Sequence, residues 1–216
     1  MTRPLWKSAG YQFFWVLCWL IAKSCFGFRW KGREHIPRGT GALICANHQS
    51  YFDPVLVGIC FRKQINFLAR NSLFDLFLFG RLIQYLEAIP IDRDGLSLSG
   101  IKETLRRLKR GEMVLIFPEG TRTLDGQVGP LKPGFCALAR RGKVPILPVG
   151  IDGAYDAWPR SRRWPRLTRL RTCFGPPITL EEIAQLTDEQ LMAEVHRRIV
   201  ACHREARRFR GLAPEA

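Results

Sequence analysis

The sequence predicts an α/β fold: a single domain with a largely parallel central sheet flanked by helices, plus an N-terminal membrane-associated helix. Three observations carry that prediction. Beyond residue 40, apolar runs of strand length alternate with stretches of helical spacing. Near the start, Phe13 to Ala22 is uninterrupted by any polar side chain. The chain of 216 residues, 46% apolar and 25% charged, can bury one core and is too short to require two large domains. The expected division is a membrane-associating segment at 1–30 and a domain at 31–216 that includes a C-terminal helix.

The N-terminal segment reads YQFFWVLCWLIAKSCFGFRW over residues 11–30. Its apolar run would span about 15 Å as helix, roughly half the hydrocarbon thickness of a bilayer, so an in-plane or half-inserted helix is expected in place of a full crossing. Trp6, Tyr11, Trp15, Trp19 and Trp30, with Lys7, Lys23, Arg29 and Lys31, supply the anchors such a helix uses. A cleaved secretory signal would also show Arg3 and Lys7 before a short apolar core, but no small-x-small cleavage site follows. A buried helix of a soluble fold is the other alternative. The basic stretch FRWKGR at 28–33 favours a peripheral or monotopic protein on the cytoplasmic face of a membrane.

Strands are expected at 42–46, 64–69, 86–91, 113–117, 144–151 and 167–174, and helices at 54–62, 73–85, 97–110 and 131–141. Pro90 marks 86–91 as an edge or bulged strand. Thr179 with Glu182, and Thr187 with Gln190, have capping-box spacing and predict a short helix near 180 and a long one from about 188 to 209. Arg207, Arg208 and Arg210 suit the negative end of that helix's dipole, on a face expected to be solvated. The segment 73–86, with Phe74, Phe77 and Phe79, is more apolar than a half-buried helix needs; lipid, an acyl tunnel or the core could take it.

The 34 Lys and Arg against 19 Asp and Glu leave a formal charge of +15, which favours an anionic partner: nucleic acid, an acidic membrane surface or a phosphorylated substrate. Residues 158–171 hold six arginines and two tryptophans, a composition suited to an anionic leaflet. The seven cysteines form no CxxC pair or Cys/His cluster, and reduced, buried thiols are expected.

The stretch ANHQSYFDP, residues 46–54, sets His48 and Asp53 five positions apart. On one ideal helix they would lie roughly 140° apart around the axis, so meeting requires a turn. Pro54 favours a helix start, which makes Asp53 a candidate cap and leaves His48 at the end of the strand ALICA. Asn47 and Ser50 add hydrogen-bonding groups around the same turn. A carboxylate on the imidazole would fix its tautomer and raise the basicity of the far nitrogen. A second stretch, FPEGTR at 117–122, follows another strand with an acid, a glycine and an arginine. It reads as an anion site, or as a turn with a surface ion pair between Glu119 and Arg122.

Taken together, NHQSYFD, AIPIDR, FPEGTR and VPILPVGI resemble the four ordered blocks of the glycerolipid acyltransferases, of the lysophosphatidate acyltransferase type, over residues 30–180. The resemblance implies that His48 is the general base for an acceptor hydroxyl and that Asp53 orients it. It implies that Arg122 binds the acceptor's phosphate, with Thr121 beside it, Glu119 serving glycerol or site geometry, and Gly120 allowing close backbone approach. Arg93 matches the second block's arginine, and Arg70 stands where the family usually has lysine. Glu87 and Pro90 depart from the family's usual Gly and Phe, which leaves the placement of Arg93 open.

The implied reaction transfers a fatty acyl group from acyl-CoA or acyl-carrier protein to lysophosphatidate, giving phosphatidate, with no acyl-enzyme, metal or other cofactor. Glycerol-3-phosphate or another lyso-lipid is the alternative acceptor. A basic nucleic-acid-binding protein is the alternative of a different class, although no recognised binding motif is present and no nucleic-acid partner is expected.

Overall fold

The computed structural model describes residues 5–75, 77–91 and 98–213. In chain order the elements are α1 (Leu5–Phe26), β1 (Arg29–Lys31), β2 (Ala42–Ala46), α2 (Asp53–Gly58), β3 (Asn66–Arg70), α3 (Asn71–Phe74), α4 (Phe77–Tyr85), β4 (Ile89–Ile91) and α5 (Leu98–Lys109). There follow β5 (Met113–Ile116), α6 (Gly134–Gly142), β6 (Ile146–Asp152), α7 (Ala154–Ala157), β7 (Arg171–Phe174), α8 (Leu180–Gln185) and α9 (Asp188–Arg210).

The strands form one sheet in the order β1-β7-β6-β2-β5-β3-β4. Strands β2, β3, β4, β5 and β6 all run the same way, and β7 is antiparallel to β6. The side to which successive strands are added reverses around β2, the position where open α/β sheets place their sites beyond the carboxyl ends.

Period-two alternation along β2 feeds two cores. Ile44 and Ala46 join Ala22, Phe26, Leu56 and Val57 on the face covered by α1 and α2. Leu43 and Cys45 join Leu108, Leu138, Val195 and Ile199 on the face covered by α5, α6 and α9. All five residues of β2 are buried, as a strand with helices on both faces requires.

Both capping boxes form as the spacing predicts, at Thr179 with Glu182 and at Thr187 with Gln190, and α9 ends at Gly211 with φ 92°. Strand β4 is an edge strand, which spares Pro90 the ladder partner it could not serve on its outer side. Glu87, in the slot where the family commonly has glycine, adopts a left-handed φ of 58° and meets Arg107 at 3.3 Å.

Several expectations are corrected. The strand expected at 167–174 is confined to β7, because Leu170 and the residues before it lead out of an irregular connection. The helix expected over 73–85 is two pieces, α3 and α4. Short β1, α7 and a 3-10 turn at Arg33–His35 carry too little pattern to have been anticipated. Among the described residues no helix is long and apolar enough to cross a membrane. Helix α1 buries Ala22 and Phe26 and donates from Trp15 Nε1 to the Phe61 carbonyl at 2.8 Å, while Phe13, Phe14, Val16, Leu17, Leu20 and Ile21 stay exposed.

The end of α9 is not simply solvated. Arg210 turns inward, donating to Asp152 Oδ2 at 3.1 Å and to Thr168 Oγ1 at 3.1 Å, and it also binds Asp156. The buried Asp152 carboxylate at the end of β6 draws it in. Burial pushes that carboxyl up, but neighbouring His203 and the Arg210 guanidinium outweigh it and hold Asp152 below the ordinary Asp range.

This latch gives a stability prediction. Arg210→Ala leaves a buried carboxylate under-compensated and lowers stability by about 3 kcal/mol, read as a lower urea midpoint. Because the folded Asp152 value is depressed, its contribution is present above the unfolded value of about 3.9 and lost as pH falls through the lower folded value. The wild-type midpoint therefore falls in that acid range by an amount that Arg210→Ala has partly lost already.

Candidate active site

The site is built where the carboxyl ends of β2 and β5 lie side by side. After Ala46 the chain leaves the sheet, and Asn47 continues the ladder with its side chain: Nδ2 donates to the Ile151 carbonyl at 2.9 Å, and Oδ1 accepts from the Ile151 N–H at 2.7 Å. His48 follows at the rim with its side chain 19% exposed.

Asp53 faces back toward it. His48 Nδ1 and Asp53 Oδ2 are 2.8 Å apart, and the same oxygen accepts from the N–H groups of Gln49 and Ser50, each at 2.6 Å. Asp53 is therefore not the helix cap that its position before Pro54 suggests. It is the first residue of α2, and its carboxylate closes the preceding turn because two free amides and the imidazole converge there. The carboxylate side chain is fully buried, and Oδ1 has no hydrogen-bond partner.

The second stretch holds the first in place. Glu119 is buried and does not pair with Arg122, contrary to the surface ion pair that the sequence allowed. One carboxylate oxygen accepts from the His48 N–H at 2.8 Å and the other from the Gly129 N–H at 3.0 Å. The two inward-pointing amides satisfy both oxygens of this carboxylate. Burial nonetheless pushes the Glu119 carboxyl up from its ordinary value. On the other side of His48, its carbonyl accepts from the Thr123 N–H at 2.8 Å. The ring stacks on Phe117, with centroids 4.0 Å apart. Backbone and ring are thus fixed together.

Gly120 has a left-handed φ of 70°, and an added Cβ would meet the Lys132 side chain at 3.1 Å. Its tight neighbour is the protein's own lysine. Thr121 is exposed beside it. Arg122 lies with its guanidinium carbon 3.6 Å from the Tyr51 ring centroid, and its Nη1 is buried without a hydrogen-bond partner. Arg70 ends β3, but its side chain, and all of Arg93, lie outside the described residues.

The geometry brings together His48, Asp53, Asn47, Ser50, Glu119, Gly120 and Arg122, and it adds residues the sequence did not single out. Gln49 Nε2 donates to the Gly126 carbonyl at 2.8 Å and lies 3.2 Å from His203 Nε2 on α9, while Gln49 Oε1 accepts from the Tyr155 N–H at 3.2 Å. Ser50 Oγ donates to the Trp158 carbonyl at 2.8 Å. These partners are distant in sequence, so no local pattern could have paired them. Phe117 belongs to the quoted stretch, and an aromatic one residue past a strand was the available signal.

Chemically, the Nδ1–Asp53 bond places the proton of a neutral imidazole on Nδ1 and leaves Nε2 as the acceptor. The carboxylate stabilises the imidazolium that forms when Nε2 takes a proton. Of the seven cysteines, Cys25 is exposed and Cys18 half-buried on α1, contrary to the burial expected of all seven. Cys45, Cys60, Cys136, Cys173 and Cys202 are buried, and burial pushes their thiols up, Cys136 to about 11 and Cys173 and Cys202 to about 12. Among the described residues no group of three or more His, Cys, Asp or Glu could hold a metal ion.

The family model described as Acyltransferase matches residues 27–152. A 1-acyl-sn-glycerol-3-phosphate acyltransferase of Bacillus subtilis (strain 168) is 29% identical over 168 residues, covering 77% of this chain and 81% of the relative. One from Pseudomonas aeruginosa is 35% identical over 156 residues, covering 70% of this chain and 59% of the relative. The crystal structure of the 1-acyl-sn-glycerophosphate (LPA) acyltransferase PlsC from Thermotoga maritima superposes with a TM-score of 0.77 at 24% identity, covering 100% of this chain and 86% of that one. That likeness establishes the fold.

The Glu119 bridge makes a direct prediction. Glu119→Gln presents one acceptor and one donor to two amide donors, so one buried N–H loses its partner and stability falls by about 1–3 kcal/mol in thermal unfolding. Glu119→Asp, one methylene shorter, does not restore the span.

Proposed function

The chain belongs to the acyltransferase family, and on that premise we propose that it moves a fatty acyl group from an acyl thioester to the hydroxyl of lysophosphatidate, giving phosphatidate. The observation that carries this reading is the His48 Nδ1–Asp53 Oδ2 contact at 2.8 Å, beside an arginine whose buried Nη1 has no partner. His48 Nε2 takes the hydroxyl proton as that oxygen attacks the thioester carbonyl. The tetrahedral intermediate then collapses, the C–S bond breaks, and the imidazolium returns the proton to the leaving thiolate. A thioester is already activated, so a positioned base and proximity supply most of what the step needs.

Arg122 is assigned to the acceptor's phosphate, through the planar fork that suits such an anion. Arg70 and Arg93 are assigned to the same charge by the family resemblance. The names of the relatives support lysophosphatidate as acceptor. The donor is acyl-CoA or acyl-carrier protein, and no cofactor beyond that co-substrate is required.

We also assign the protein to the cytoplasmic face of a membrane as a peripheral or monotopic enzyme. Helix α1 exposes apolar side chains between Phe13 and Ile21. The connection between α7 and β7 exposes Trp164 at 70% and Leu167 at 76%, among Arg160, Arg163, Arg166 and Arg169. Near an anionic leaflet each such cation contributes about 1 kcal/mol.

Thiol release from palmitoyl thioester by the detergent-purified protein should depend on lysophosphatidate. His48→Ala and Asp53→Asn should each lower that rate by about 10²- to 10⁴-fold. Release that is indifferent to acceptor or to His48 would remove the proposal. In vesicle sedimentation, replacing Arg160, Arg163, Arg166 and Arg169 together by Gln should weaken binding to anionic vesicles and leave binding to neutral ones unchanged.

A further inference from the structure

We propose that Tyr51 is a positioning residue for the acceptor. It holds the Arg122 guanidinium by its flat face, so that the unpartnered Nη1 is presented to the acceptor's phosphate. The proposal rests on the assignment of Arg122 to that phosphate.

Two independent features meet at this arginine. Its guanidinium carbon lies 3.6 Å from the Tyr51 ring centroid, where the ring's quadrupole attracts a cation. Its Nη1 is buried and makes no hydrogen bond. The stack therefore fixes the plane of the guanidinium without consuming a donor. No carboxylate competes: among the described residues none pairs with Arg122, and the adjacent Glu119 is held by two backbone amides. A buried guanidinium donor left without an acceptor is costly, and an incoming oxyanion relieves that cost.

Tyr51 is itself located from below. It sits in the turn that Asp53 closes, three residues after the base, and its ring packs on Trp158 with centroids 5.2 Å apart. Trp158 is fixed at both ends: its carbonyl accepts from Ser50 Oγ at 2.8 Å, and its Nε1 donates to the Arg162 carbonyl at 3.1 Å. One turn thus references both the base, through Asp53, and the anion-binding arm, through Tyr51. Arginine loses much side-chain freedom when a ligand fixes it, and a stack that orders the fork beforehand reduces that loss.

The test is steady-state kinetics with lysophosphatidate and palmitoyl thioester, for wild type, Tyr51→Leu, Tyr51→Phe and Arg122→Ala, with thermal midpoints measured alongside. Tyr51→Leu should raise the acceptor KM roughly five- to tenfold. The donor KM and kcat should stay within about twofold of wild type, and Tyr51→Phe, which keeps the ring face, should restore the acceptor KM. An unchanged acceptor KM in Tyr51→Leu, or a loss confined to kcat, would overturn the proposal. Arg122→Ala separates the two layers. If it raises the acceptor KM and Tyr51→Leu does not, the stack is wrong and the phosphate assignment stands. If Arg122→Ala leaves the acceptor KM unchanged, the phosphate assignment fails and the stack proposal falls with it. Should Tyr51→Leu not fold, Tyr51→Met repeats the comparison.

Discussion

A single buried carboxylate oxygen organises this site. Asp53 Oδ2 accepts from the His48 ring and from two successive backbone amides. Those three bonds turn a five-residue separation, which a regular helix would spread roughly 140° around its axis, into a contact. An oxygen so engaged cannot swing away without exposing two buried N–H groups, so the ring's orientation is tied to the folding of the turn. In the proposed mechanism the aspartate performs a backbone task and a catalytic one with the same atom.

The turn is in turn clamped from several directions. Glu119 reaches from the neighbouring strand end to the His48 amide, Asn47 splices onto β6, and Gln49 contacts α9 through His203. The parallel sheet makes this possible, because it delivers the ends of β2, β5 and β6 to one rim. Most of the polar groups around His48 are occupied by the protein itself. Asp53 Oδ1 and Arg122 Nη1 are buried without a partner, and the proposed reaction uses the second.

How much of this was legible in the sequence follows from the range of each interaction. The strand ALICA, the two capping boxes and the long C-terminal helix were readable because their signals lie within a few residues. The approach of His48 and Asp53 was readable as a need for a turn, but not the manner of it: proline before a helix points to a cap, whereas the competing amides lie upstream. Glu119 looked like one half of a surface pair because its true partners are backbone amides, which no sequence displays. Arg210 looked solvated because Asp152 lies 58 residues away, and Gln49 and His203 are 154 residues apart. The four ordered blocks resembled the family without showing these contacts.

The central claim is that His48 acts as a general base in direct transfer, with no acyl group passing through the protein. The most direct measurement is the intact mass of protein mixed with palmitoyl thioester alone, in a preparation that turns over once lysophosphatidate is added. The account predicts an unmodified mass before the acceptor arrives and product only afterwards. A stoichiometric acyl adduct that forms without acceptor and is discharged by it would contradict the account and give the protein a nucleophile.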